Sequence, residues 1–211
     1  MSEELREALV VGIGNVLWAD EGFGVRAVEA LNDAFEFGTG VQLLDGGTLG
    51  LNLLGEVEYA RRVLVFDAVD TGAPPGTLVV LRGSEVPAWG ARKLSPHQNG
   101  FNDVLALARV HARYPRDLTA IGVQPAVLDD FGGSLSPAIR ECLPRALELA
   151  VQEMARWGLH ARRRQPGEPP APLNASSLQL AAYESGRPSS ADACRVGDAR
   201  LLAARNGAEN R

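Results

Sequence analysis

Cysteine is scarce in this chain. Cys142 and Cys194 are the only two in 211 residues. One falls on a helical pattern and the other in a polar tail, so neither a disulfide framework nor a metal-type or redox cysteine pair is expected. Long apolar runs are absent too, and the N-terminus, Met1-Ser2-Glu3-Glu4-Leu5-Arg6-Glu7, is acidic. That pattern fits neither an ordinary signal peptide nor a membrane span, and it makes a cytoplasmic protein the expectation. An excess of positive charge is also missing: the formal net charge is −5, which argues against nucleic acid as the main partner. No Gly-x-Ser-x-Gly elbow occurs, and neither cysteine sits in a glycine turn at a strand end. A hydrolase built on this chain would attack with water rather than with a side chain. Internal repeats are not evident.

What is present reads as an ordinary globular domain with an appendage. Charged residues make up 22% and apolar residues 45%, a normal balance for a packed core. Strands are predicted at Ala8–Ile13, Val41–Leu44, Val63–Phe66, Thr77–Leu81 and Leu118–Val123. A helix from about Gly22 to Phe35 carries Val25, Val28, Leu31 and Phe35 on its buried face. A short helix over Leu49–Val57 is expected to be capped by Thr48. Further helices are predicted over roughly Pro96–Arg113 and from Ser136-Pro137 to about Trp157. This alternation predicts one α/β domain: a twisted five-stranded, mostly parallel sheet between two layers of helices. The third and fourth strands are too close in sequence for a helical crossover, so one of them should run antiparallel. The domain spans residues 1–157. Residues 158–211, rich in Pro, Arg, Ala and Ser, read as a flexible polar tail. Residues 161–211 hold eight arginines against five acids, a net +3, which leaves −8 on residues 1–160. Deleting the tail is expected to leave function largely intact.

The most informative stretch is Val10-Val11-Gly12-Ile13-Gly14-Asn15-Val16-Leu17-Trp18-Ala19-Asp20-Glu21-Gly22-Phe23-Gly24-Val25-Arg26. A buried strand breaks at two glycines and delivers two acids where the next helix starts. Asp45 and Asp67 end the second and third strands, and His97 opens the helix after the fourth, so Glu21, Asp67 and His97 all fall at one edge of the sheet. That edge is where open α/β sheets bind ligands. Two carboxylates and an imidazole suit a borderline divalent ion such as nickel or zinc. Ser95-Pro96-His97-Gln98 matches a helix-capping box. It places His97 at the positive end of a helix dipole, where a neutral, metal-binding imidazole is favoured. Each acid also has a structural alternative: Asp20 and Glu21 as helix-start acids, Asp45 and Asp67 as turn residues. A nucleotide-binding reading of Gly12, Gly14 and Asp45 is weak, because Leu17 stands where the third fingerprint glycine belongs.

Four segments in order resemble the hydrogenase maturation proteases. They are Gly12-Ile13-Gly14-Asn15 with Asp20-Glu21-Gly22-Phe23-Gly24-Val25, then Asp45-Gly46-Gly47-Thr48-Leu49-Gly50, then Val65-Phe66-Asp67-Ala68-Val69, and Ser95-Pro96-His97-Gln98. Gly122-Val123-Gln124-Pro125 is similar to the family's fifth-strand end. The resemblance implies a cytoplasmic endopeptidase, monomeric and of the aspartyl type. It would remove the C-terminal peptide of a nickel–iron hydrogenase large-subunit precursor after nickel insertion. It implies Glu21, Asp67 and His97 as ligands to nickel supplied by the precursor, and Asp45 as the catalytic carboxylate. Whether nickel polarises the scissile carbonyl or Asp45 activates a water stays open at this level. The alternative is a non-catalytic nickel-binding hydrogenase chaperone using the same ligands.

Overall fold

The computed structural model describes residues 5–90 and 96–187, with side chains placed for residues 5–87 and 100–187. Five strands form the sheet: β1 (Ala8–Ile13), β3 (Val41–Gly47), β4 (Arg62–Ala68), β5 (Leu78–Arg82) and β6 (Asp117–Val123). Their order is β3-β1-β4-β6-β5, with β5 antiparallel to β6 and every other pair parallel. The antiparallel strand is thus the one reached by the short Thr71–Gly76 turn, as its connection requires. A two-residue strand β2 (Phe35–Glu36) lies outside this sheet and pairs with β7 (Arg162–Arg163).

Helices cover both faces, and strand alternation decides which side chains meet which helix. On one face Ala8, Val10, Leu64, Phe66, Ile121 and Val123 meet α1 (Phe23–Ala34) and α5 (Pro137–Arg156). Phe23 of α1 packs edge-on against Phe66, their ring centroids 6.4 Å apart. On the other face Leu9, Val11, Val63, Val65 and Ala120 meet α2 (Leu54–Glu58), α3 (Glu85–Gly90) and α4 (Pro96–Val110). Strands buried on both faces read as unbroken apolar runs, which is why Ala8–Ile13 and Val63–Phe66 are conspicuous in sequence. No helix of the described residues is long and apolar enough to cross a membrane.

One local expectation needs correcting. Thr48 is not a helix cap: a 3-10 turn over Gly50–Leu53 follows Leu49 and carries no side-chain cap. Gly50, at φ 53°, makes the turn instead. α4 begins at Pro96 as its sequence predicts, and Gly100 lies within it. A Cβ there would stand 2.9 Å from the Gly50 Cα, so the helix comes close to the loop after β3.

Residues 158–187, expected as a flexible tail, are described as a strap on α1. β7 pairs with β2 at the C-terminal end of that helix, and the Arg164 Nε donates to the Asn32 carbonyl. Asn32 Nδ2 donates to the Ala171 carbonyl, and Arg26 donates to the Leu178 carbonyl. A short helix α6 (Leu180–Ser185) follows, and Tyr183 stacks on the Arg26 guanidinium. The stripe Arg26, Glu29, Asn32 repeats every three residues along α1. Arg26 is only 3% exposed although it is charged. Polar partners offered by the strap account for its burial.

Candidate active site

β1 is the switch point of the sheet. The chain leaves it through α1 to β3 on one side and returns through α2 to β4 on the other. Such a point opens a crevice at the carboxyl ends of the strands. Gly12 sits there, in register with Asp45 on β3 and Phe66 on β4. A Cβ on Gly12 would lie 2.1 Å from the Gly24 carbonyl oxygen, and one on Gly24 2.3 Å from that of Phe66. These glycines let α1 lie directly on the strand backbones. Gly14, at φ 139°, donates its N–H to Gly47 at 3.0 Å, and a Cβ on it would be 1.9 Å from the Glu21 carbonyl oxygen. The glycine turn therefore serves close backbone approach rather than phosphate binding.

Ala19 adopts a left-handed conformation, φ 45°, which turns the chain inward before the 3-10 segment Ala19–Gly22. Asp20 and Glu21 are consequently both buried. Asp20 accepts hydrogen bonds from the Ala126 and Val127 amides at 2.9 and 2.8 Å and from the Ser136 amide and hydroxyl at 2.6 and 2.9 Å. It is a brace between the β1–α1 turn, the loop after β6 and the start of α5. Ser136 occupies the cap position of α5, as its sequence predicts, but spends its hydroxyl on Asp20 rather than on the helix.

Glu21 follows Asp20 in the same turn, and Gly24 seats the start of α1 on the Phe66 carbonyl, so Glu21 and Asp67 belong to adjoining backbone. Asp67 is 1% exposed and shares its register position with Gly122. Strand alternation sends it to the face of Val63 and Val65, the α4 side. His97 falls in the first turn of α4, one turn before Gly100; its side chain and that of Ser95 lie outside the described residues. Among the described residues no three His, Cys, Asp or Glu side chains form a metal-sized group.

Asp45 belongs to the opposite face. It follows Val41 and Leu43, which pack toward α1, and its Oδ2 accepts a hydrogen bond from Asn174 Nδ2 at 3.0 Å. The structure thus brings the Glu21 turn, Asp67 and the start of α4 to one end of the sheet, and places Asp45 beyond β1 on the α1 side.

Two contributors escape sequence reasoning. Asn174 lies in a Pro- and Ser-rich stretch with no periodicity to announce it. Gln124 is 8% exposed; it accepts from the Thr71 amide at 2.6 Å and donates to Asp70, anchoring the turn after β4. The Cys142 thiol is no nucleophile. Burial is the main cause that raises its pKa to about 11, its Sγ contacts the Ile139 carbonyl, and it remains protonated at neutral pH.

An open α/β sheet with buried carboxylates at the carboxyl ends of its strands places a candidate site at its switch point. Comparison with known proteins narrows this. The sequence model described as HycI, hydrogenase maturation protease, matches residues 25–153. The hydrogenase expression/formation protein HupD of Thiocapsa roseopersicina is 54% identical over 198 residues, covering 93% of this chain and 90% of that one. The hydrogenase 2 maturation protease of Escherichia coli K12 is 40% identical over 158 residues, 74% of this chain and 96% of its own. The solved structure of the hydrogenase maturating endopeptidase HybD from E. coli superposes with a TM-score of 0.72 at 39% identity, covering 75% of this chain and 98% of that one. The chain belongs to the hydrogenase maturation protease family and is a peptidase.

Proposed function

We propose that this peptidase removes the C-terminal peptide of a nickel–iron hydrogenase large-subunit precursor, acting as a monomer, and that nickel inserted in the precursor licenses the cut. The observation that carries the reading is the convergence on one sheet end of the Glu21 turn, Asp67 and the first turn of α4 with His97. Glu21, Asp67 and His97 complete the coordination of nickel that the precursor already holds, so only a loaded precursor is held in register. Three ligands on separate elements give weak intrinsic affinity, which such a gate requires.

Asp45 supplies the chemistry. It and Asp67 leave strands on either side of β1, about 10 Å apart at ordinary strand spacing, and they project to opposite faces. This separation favours nickel as a recognition element over nickel as the group that polarises the scissile carbonyl. Asp45 then acts as general base. Its carboxylate takes a proton from water as the oxygen bonds to the carbonyl carbon. The C–N bond breaks, and that proton leaves with the released amine.

The test is the intact mass of a large-subunit precursor from the same organism, incubated with the protein before and after nickel loading. Loss of a C-terminal peptide from the loaded precursor alone supports the reading. Binding without any mass change would establish the chaperone alternative, and cleavage of unloaded precursor at the same rate would remove the nickel gate.

A further inference from the structure

The strap lies beyond the residues that the family model matches, and one of its side chains reaches the candidate site. Asn174 Nδ2 donates to Asp45 Oδ2 at 3.0 Å and also to Glu29 Oε1 on α1. Both neighbours are carboxylates and can only accept while ionised, so the amide must present its nitrogen to them. Its Oδ1 is then turned into the structure, where it accepts no hydrogen bond among the described residues. An amide placed only to hold down the strap would be expected to satisfy both of its ends. Here one end is sacrificed to keep the other between two carboxylates. Asp45 Oδ1 accepts no hydrogen bond among the described residues, so the contact fixes one oxygen and leaves the other for a reactant.

From this geometry we infer that Asn174 is a positioning residue for the peptidase reaction: it holds the Asp45 carboxylate in the orientation that activates water. The strap is therefore part of the working enzyme, contrary to the expectation that its deletion is silent. Its remaining contacts serve to deliver Asn174. The strap is tied to α1 at Asn32 and Arg26, on either side of Glu29, so the amide reaches Asp45 on a segment fixed at both ends. The inference rests on the reading of Asp45 as the base.

Four full-length variants test it, each assayed by initial rates against nickel-loaded precursor at several concentrations. Asn174→Ala removes the donor. Asn174→Asp keeps the shape but sets a like charge against Asp45. Asn32→Ala loosens the strap at Ala171 without touching Asp45, and Asp45→Asn removes the base. Losing a hydrogen bond to a charged group predicts that Asn174→Ala lowers kcat about tenfold with KM little changed. Asn174→Asp falls further, Asn32→Ala loses clearly less than Asn174→Ala because Arg26 and Glu29 still hold the segment, and Asp45→Asn shows no turnover. Wild-type kcat in Asn174→Ala alongside an inactive Asp45→Asn overturns the inference and leaves the Asp45 reading standing. Equal losses in Asn174→Ala and Asn32→Ala also overturn it, because strap docking alone would then explain the effect. Normal turnover by Asp45→Asn removes the base itself, and with it the role assigned to Asn174. Melting curves of all four variants verify that rates are compared between folded proteins.

Discussion

Asp20 and Glu21 are neighbours in one turn, yet Asp20 is committed to four hydrogen bonds from residues 126, 127 and 136. Asp20→Asn replaces acceptor by donor against amides that can only donate. The expected cost is about 2–4 kcal/mol, read as a lower urea midpoint with an unchanged slope. Glu21→Gln, one residue on, should raise KM for nickel-loaded precursor. Asp45→Asn should still bind that precursor, seen as co-elution on gel filtration, while releasing no peptide. Gly14→Ala forces a side chain against the Glu21 carbonyl oxygen, 1.9 Å from its Cβ. It should lose both stability and turnover, since the turn that carries Glu21 has nowhere to retreat.

At the scale of elements, the antiparallel strand β5 is secured to α5 by Arg82 and Glu153, with Thr119 of β6 donating to the same carboxylate at 3.0 Å. Burial pushes the Glu153 carboxyl up, but hydrogen bonds from Arg82 and Thr119, with the charges of Arg82 and Arg156, more than offset this and hold it below its ordinary 4.5. A carboxylate depressed in the folded state stabilises the fold above its unfolded pKa and loses that contribution as pH falls through the folded value. Wild-type stability should therefore drop as pH falls below about 4.5, and Glu153→Gln should make the decline shallower in urea titrations at a series of pH values. The elements themselves were legible because buried parallel strands are apolar throughout and α1 shows a clear helical stripe. The same rules misled where a surface was covered from far along the chain. The cover of Arg26 comes from residues 178 and 183, out of reach of any local pattern. Asp20 reads as a helix-start acid because its partners lie more than a hundred residues on. At the site, sequence located the sheet end to which Glu21, Asp67 and His97 belong. It could not separate the faces of Asp45 and Asp67, since that depends on strand phase, nor find Asn174.

For the whole molecule, the strap brings two regions of opposite charge together: the described residues 161–187, with four arginines against two acids, lie on an acidic domain. Truncation after residue 157 removes the Leu178 carbonyl and the Tyr183 ring from Arg26 and the Arg187 pairing from Asp130. The melting temperature should fall by about 5 °C, and a truncated chain that melted like wild type would show that the strap contributes little to the fold. The Asp20 brace also sets a schedule. The turn bearing Glu21 is made early in translation, but the amides that fix it arrive 106, 107 and 116 residues later. Contacts of such long sequence separation form late and slowly. A ribosome-bound chain therefore carries Asp20 and Glu21 in an unbraced turn until residue 136 has emerged, and this end of the sheet takes its shape only once the start of α5 is in place.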